Sequence, residues 1–181
     1  MVTLAVLVIV AVVAFAGFRR NEQTGQARRF VASVQGGIIQ ARNRAIDQQM
    51  PVRVAIDSNS MTLTELTATD TWVLFDRVVM TNAESALIDD DTVCIFGLGT
   101  GVQTPAQAVA ADPPTGCLAD AQVLRFEPDG TFTDPAGSFS DVPNAGVTLW
   151  IGDRSVPGEV EFSIVQVFPG GLVRTITELS P

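Results

Sequence analysis

The sequence predicts an α+β protein in which one long N-terminal helix packs on an antiparallel β domain. Three observations carry that expectation. The first eighteen residues contain no charged side chain. The next thirty or so keep an apolar repeat of three to four residues without proline. From Pro51 onward the repeat shortens to two, broken at intervals by Gly, Pro, Asp and Asn.

Met1 to Phe18 would be apolar on every helical face, Thr3 being the sole hydroxyl. At about 1.5 Å per residue such a helix reaches roughly 27 Å, close to the roughly 30 Å hydrocarbon thickness of a bilayer. Residues 1–18 are therefore expected to form a transmembrane half-helix. A secretory signal would begin with a basic segment and end at a small-residue cleavage site. This stretch begins apolar and runs straight into Arg19 and Arg20, as though a basic leader had been removed. Its orientation is not readable from charge bias, because the flank that would carry it is missing.

Residues 19–50 are expected to continue as the amphipathic half of the helix. Phe30, Val34, Ile38, Ala41 and Ala45 draw one apolar stripe, with Arg28, Gln35, Arg42 and Gln49 beside it. Glycines at 17, 25, 36 and 37 are its weak points, each costing up to about 1 kcal/mol against Ala. Pro51 should end it.

The globular domain is expected to span 51–181. Val52 to Ile56 and Met61 to Thr67 alternate as a hairpin turned at Asp57-Ser-Asn-Ser60, with Met61, Leu63 and Glu65 on one face. Trp72 to Met80 and Thr92 to Phe96 read as further strands, followed by a long surface loop over 97–121 rich in Gly, Ala, Pro and Thr. Strands resume at Val123 to Glu127, turn at Pro128-Asp-Gly130 and return at Thr131 to Thr133. Val147 to Ile151, Val160 to Phe168 and Leu172 to Thr177 complete the set, the last two joined by Pro169-Gly-Gly171. Val160 to Phe168 is largely apolar on both faces, which implies a central position or a face covered by the helix.

Charge is divided unevenly. Residues 1–56 carry seven arginines against Glu22 and Asp47, a net of +5, whereas residues 57–181 carry four arginines against eighteen carboxylates, a net of −14. That acidity argues against nucleic acid as a partner. The chain has no His, Lys or Tyr, which removes the usual general base near neutral pH and the commonest metal ligand. Asp89-Asp-Asp91 lacks the spacing and glycine of a calcium loop and reads as a solvated turn. Glu127 and Asp129 flank a turn rather than a catalytic cleft, and Gly97-Leu-Gly-Thr-Gly101 lacks the full phosphate-binding pattern. No catalytic residue, metal site or cofactor is expected. Cys94 and Cys117, the only cysteines, form either a disulfide tying the long loop to the fourth strand or two separate buried thiols.

Three stretches give the chain a family resemblance. Met1-Val-Thr-Leu4 followed by unbroken Val, Ile and Ala looks like the mature start of a prepilin-type protein. Ala41-Arg-Asn-Arg-Ala-Ile-Asp-Gln-Gln-Met-Pro-Val52 closes the helix, and Leu124-Arg-Phe-Glu-Pro-Asp-Gly-Thr131, Val147-Thr-Leu149 and Phe168-Pro-Gly-Gly-Leu-Val-Arg174 make up the C-terminal half. In order and spacing they resemble the GspH/FimT group of minor pilins and pseudopilins of type IV pili and type II secretion systems.

The resemblance implies a non-enzymatic filament subunit. Its helix would sit in the bacterial inner membrane before assembly and in the filament core afterward, among other pilin or pseudopilin subunits. Its globular domain would lie in the periplasm or on an extracellular filament. The group commonly N-methylates its first residue, here Met1, and carries glutamate at the fifth position. Here that position is Ala5, or Val6 if Val2-Thr3-Leu4 leads, a departure that a tip position or another polar contact would accommodate.

Two contacts follow from the physics. Ala11, Ala14, Ala16 and Gly17 either permit close helix approach or simply face lipid. Arg19, Arg20, Arg28 and Arg29 either pair with a neighbour's carboxylates or form a solvated, headgroup-facing collar. The competing functional readings are an anchored periplasmic binding module acting outside a filament and a membrane-tethered enzyme. The second of these needs convergent polar residues that the sequence does not supply.

Overall fold

The computed structural model describes residues 27–79, 93–104, 106–107, 116–133, 146–153 and 161–179. The expected membrane span at 1–18, Arg19, Arg20 and the Asp89–Asp91 cluster lie outside these residues.

Helix α1 occupies 27–48. Its stripe is buried as the repeat requires: Phe30 is 3% exposed and Val34, Ile38, Ala41 and Ala45 are fully enclosed. The end is written into the backbone. Gln49 adopts a left-handed φ of 53°, while Met50 N–H donates to Ala45 O and Gln49 N–H to Ile46 O, each at 3.3 Å. Those are the paired bonds of a Schellman cap, with glutamine standing where glycine is usual. The Gln49 side chain adds a bond from Nε2 to Ile46 O at 2.7 Å. Pro51 follows at once and cannot resume the helix.

Nine strands follow among the described residues: β1 Val52–Ile56, β2 Ser60–Leu66, β3 Trp72–Val79, β4 Val93–Thr100, β5 Gln122–Phe126, β6 Phe132–Thr133, β7 Val147–Asp153, β8 Glu161–Val167 and β9 Val173–Leu179. They divide into a five-stranded sheet ordered β3-β2-β1-β5-β6 and a four-stranded sheet ordered β4-β7-β8-β9. Every pairing is antiparallel. The alternation of β1 places Val52, Val54 and Ile56 in the core and Arg53 and Ala55 outward.

One core joins the stripe of α1, the inner face of the first sheet, and Val93, Ile95, Val147, Leu149, Ile151, Val165 and Val167 of the second. The other face of the second sheet holds a smaller cluster of Cys94, Phe96, Trp150, Phe162 and Ile164. Strand β8 lies between β7 and β9 and contributes to both clusters, so its two apolar faces have separate uses. A bond from Ile95 N to Ser58 O at 2.6 Å ties β4 to the β1–β2 turn.

The fourth strand corrects the sequence expectation. Gly97 to Thr100, assigned to the long loop, continue β4 opposite Trp150 to Val147. The glycines there serve a flat packing surface. A Cβ on Gly99 would fall 1.9 Å from the Trp150 ring, and one on Gly152 would fall 2.0 Å from the Phe96 ring. Both aromatic rings lie directly over backbone, which is why a glycine-rich segment can be a buried strand.

Three of the hairpins close with one and the same five-residue loop. The first N–H bonds the fifth carbonyl at 2.8 Å in Thr67–Thr71, Glu127–Thr131 and Phe168–Leu172. The fourth residue is left-handed in each: Asp70 at φ 56°, Gly130 at 82° and Gly171 at 76°. This is the three-residue connection with a left-handed residue before the returning strand.

Candidate assembly surface

The last turns of α1 meet both sheets' hairpins through two arginines. Arg42 Nε donates to Gly130 O at 3.2 Å. A Cβ on Gly171 would lie 2.3 Å from that same Nε and 2.4 Å from Gly130 O, so the β5–β6 and β8–β9 loops and Arg42 touch at one point. Three of the segments that carried the family resemblance, those holding Arg42, Gly130 and Gly171, therefore converge in space. Arg42 was read in the sequence only as a polar position beside the stripe. The left-handed glycines of Pro128-Asp-Gly130 and Pro169-Gly-Gly171 mark the two turns, but nothing local joins them to residue 42.

Two residues farther along, Arg44 grips Glu65 with two bonds, Nε to Oε2 at 2.6 Å and Nη2 to Oε1 at 3.2 Å. Hydrogen bonding from Arg44 holds the Glu65 carboxyl below the usual glutamate range, and burial opposes that shift. The same guanidinium lies 5.5 Å from the centre of the Phe75 ring. Phe75 is the extra residue of a bulge between the Leu63 and Thr64 pairings, which turns its side chain toward the helix. With Gly36, Ile39, Asn43 and Asp47 it lines an open groove along the exposed side of α1.

The expected disulfide is present: Cys94 and Cys117 are bonded at 2.06 Å, with Cα atoms 5.7 Å apart. Leu118 N donates to Ile95 O at 2.8 Å beside it, so the far end of the long loop is fastened to β4 twice. Of the expected inter-subunit arginines, Arg28 and Arg29 are exposed on the first described turn of α1. Arg28 shares a crevice with Asp153 and Glu161 of its own domain.

The carboxylates weighed as a catalytic pair are engaged elsewhere. Asp129 accepts the Thr131 hydroxyl at 2.6 Å and its N–H at 2.9 Å, and the hydroxyl bond leads the downward shift of its pKa. Glu127 lies 2.8 Å from Arg125 Nε, although the aligned hydrogen bond is the one from Nη2 at 3.3 Å. Among the described residues no helix is long and apolar enough to cross a membrane. Among them, too, no group of three acidic, Cys or His residues could hold a metal.

Helix α1 laid on two antiparallel sheets, closed by an arginine at paired turns, is the geometry to set against known proteins. The family model described as Type II transport protein GspH matches residues 31–150, from the buried stripe of α1 into β7. The chain belongs to the GspH family. That family is one of structural, non-catalytic proteins.

Two structures of the minor pseudopilin EpsH, from the type II secretion system of Vibrio cholerae, share its fold. One is 16% identical with a TM-score of 0.51, covering 84% of this chain and 97% of that one. The other is 18% identical with a TM-score of 0.50, covering 85% and 95%. The type IV minor pilin FimU of Pseudomonas aeruginosa aligns at 15% identity and a TM-score of 0.45, covering 90% of each chain. No curated protein sequence gives a significant match.

Proposed function

We propose that this GspH-family chain is a minor structural subunit of a type II secretion pseudopilus or type IV pilus, at or near the tip. The observation that carries the reading is the family match from Val31 to Trp150, which takes in the docked half of the helix, the whole five-stranded sheet, and β4 with the first half of β7 in the second sheet. It is preceded by an uncharged apolar run over residues 1–18. Such a run is stable in lipid or against other apolar helices and unstable bare in water. The globular domain then stands on the periplasmic or outer side, and the helix partners other pilin-type subunits.

In this reading Met1 carries the N-methyl group. Ala5 or Val6 offers no carboxylate to a neighbour's amino terminus, so side-chain packing or another subunit sets the register. Ala11, Ala14 and Gly17 line the helix contact, and Arg19, Arg20, Arg28 and Arg29 supply a weaker, salt-screened contribution.

The test deletes residues 1–18 and measures both filament incorporation and domain folding. The expected result is a folded domain that no longer enters filaments, and unchanged incorporation would sink the reading. Arg19→Glu with Arg20→Glu should weaken incorporation less, with the difference growing smaller in high salt.

A further inference from the structure

Of the four edge strands among the described residues, three are guarded against further pairing. Strand β6 is two residues long. On β4, Ile95 donates its N–H to Ser58 O at 2.6 Å and accepts from Leu118 N–H at 2.8 Å, so both of its outward groups are taken. Strand β9 presents the charged, exposed Arg174 and the exposed Thr177. Shortness, cover and charge are common ways of blunting a sheet edge.

Strand β3 is the open one. It runs for eight residues without proline and, among the described residues, pairs with β2 alone. Val73 and Leu74 are 44% and 56% exposed on it. The bulge at Phe75 leaves Trp72 to Leu74 in regular pairing with Leu66 to Thr64.

The two faces of that edge differ in chemistry. Register sets Leu74 in an outward row with Thr64, Arg53 and Arg125, and Arg77 in the next row with Thr62 and Ala55. Glu127 answers Arg125. Among the described residues no carboxylate pairs with the side chain of Arg53 or Arg77; Asp76 accepts the Arg77 backbone N–H at 2.7 Å. Arg53 lies over the Trp72 ring, its guanidinium carbon 3.9 Å from the centre, which leaves its N–H groups to a carboxylate. Val73 stands on the other face with Glu65 and Val52, beside Phe75 and the groove along α1. That groove, of about 400 Å³, is walled by Ile39, itself 39% exposed, and is open at Gly36, where a Cβ would meet nothing within 4 Å.

We propose that the β3 edge docks an extended segment of a different subunit of the same filament, a strand whose residues alternate between apolar and acidic. Its apolar side chains lie against Val73, Phe75 and Ile39, and its carboxylates meet Arg77 and Arg53 on the outward face. The argument for that occupant is complementarity: arginines without acids call for carboxylates, and the groove calls for apolar side chains. An extended chain added to a sheet edge offers the two on alternate residues. A second copy is disfavoured, since β3 paired with β3 brings both sets of arginines onto one face. The net charge of −9 repels a polyanion or an anionic bilayer. One edge takes one strand, so the contact is complete with a single partner and does not propagate, as suits a subunit at or near a tip. The proposal rests on the filament-subunit reading and names a partner for it.

The test is made on the full-length chain in cells that assemble the filament, with a photo-crosslinking residue at one position at a time. Leu74→p-benzoylphenylalanine samples the outward face, Ile39→p-benzoylphenylalanine the groove, and Leu172→p-benzoylphenylalanine, on the β8–β9 loop, is the control. Expected are adducts from 74 and 39 that map to one segment of one other subunit, on residues of opposite alternation, with acids beside the residue captured at 74. Arg77→Glu, on an exposed side chain, should lower the yield at 74 about fivefold. Both crosslinking positions are exposed, so either one reads the contact if the other variant misfolds.

Capture of a second copy, of residues 80–92 of the same chain, of lipid or of nucleic acid would each overturn the contact. So would adducts from 74 and 39 that map to different segments, an equal adduct at 172, or insensitivity to Arg77→Glu. Filament entry is scored separately. A chain that enters filaments and gives no adduct at 74 or 39 ends this proposal and leaves the subunit reading intact, whereas a parent chain that never enters filaments ends both.

Discussion

Gly170 and Gly171 are adjacent, yet alanine at each should have opposite consequences. At Gly171 φ is +76°, where an L side chain costs about 1–2 kcal/mol. The new Cβ would also lie 2.4 Å from Gly130 O and 2.3 Å from Arg42 Nε. The carbonyl is backbone in a neighbouring turn and cannot swing away. Arg42 can, but only by giving up its 3.2 Å bond to that carbonyl, which removes about another 1 kcal/mol. Subtracting about 0.5–1 kcal/mol for the stiffer unfolded chain, Gly171→Ala should destabilise by about 1–2.5 kcal/mol.

At Gly170 a Cβ meets nothing within 4 Å, and Gly170→Ala should be neutral or stabilising by up to about 1 kcal/mol. Urea titration of the full-length chain, followed by tryptophan fluorescence, reads both midpoints with an unchanged slope expected. In an Arg42→Ala background the cost at 171 should shrink by the Arg42 share and keep the carbonyl share. Equal midpoints for the two alanine variants would refute the idea that Arg42 and the paired turns form one close-packed junction.

Reducing Cys94–Cys117 should lower stability by about 3 kcal/mol, from loop closure over a separation of 23 residues. The check is the urea midpoint with and without reductant; a difference near zero would mean that packing alone holds the loop. For Glu65, the folded pKa lies below the ordinary glutamate value of 4.5, so its stabilisation is present above that value and is lost as pH falls through the lowered folded value. The stability gap between the parent and Glu65→Gln should therefore be constant near neutrality and close on acidification below about pH 4.5, and a gap unchanged in acid would count against the Arg44 pairing as its source.

Much of the architecture was legible because it is local. The stripe from Phe30 to Ala45, the stop at Pro51 and the alternation of β1 and β2 each depend on spacing within one segment. The turns at Pro128-Asp-Gly130 and Pro169-Gly-Gly171 announce themselves through residues that tolerate a left-handed backbone. Gly97 to Thr100 misled because glycine is a loop residue until a distant ring covers it. Here that ring belongs to Trp150, about fifty positions away. The division into two sheets was unreadable for the same reason, since it depends on β1 pairing with β5 across three intervening strands. At the candidate surface, Cys94 and Cys117 could be matched because they are the only cysteines. The pairings of Arg42 with Gly130, Arg44 with Glu65 and Arg53 with Trp72 could not, since each choice among several arginines is made by register and by the helix docking angle.

The way α1 is fastened also decides how the domain bears a pull. Consider tension applied along the helix axis at the first described turn of α1. The stripe from Phe30 to Ala45 extends over roughly 22 Å of that axis at about 1.5 Å per residue. To slide, Phe30, Val34, Ile38, Ala41 and Ala45 must leave their seats together, and the Arg42 and Arg44 contacts at the far end must give way in the same step. The load is thus shared in parallel across the whole seam, as in a lap joint, whereas a pull perpendicular to the helix would peel those seats open one after another. A subunit built this way resists axial tension far better than sideways tearing.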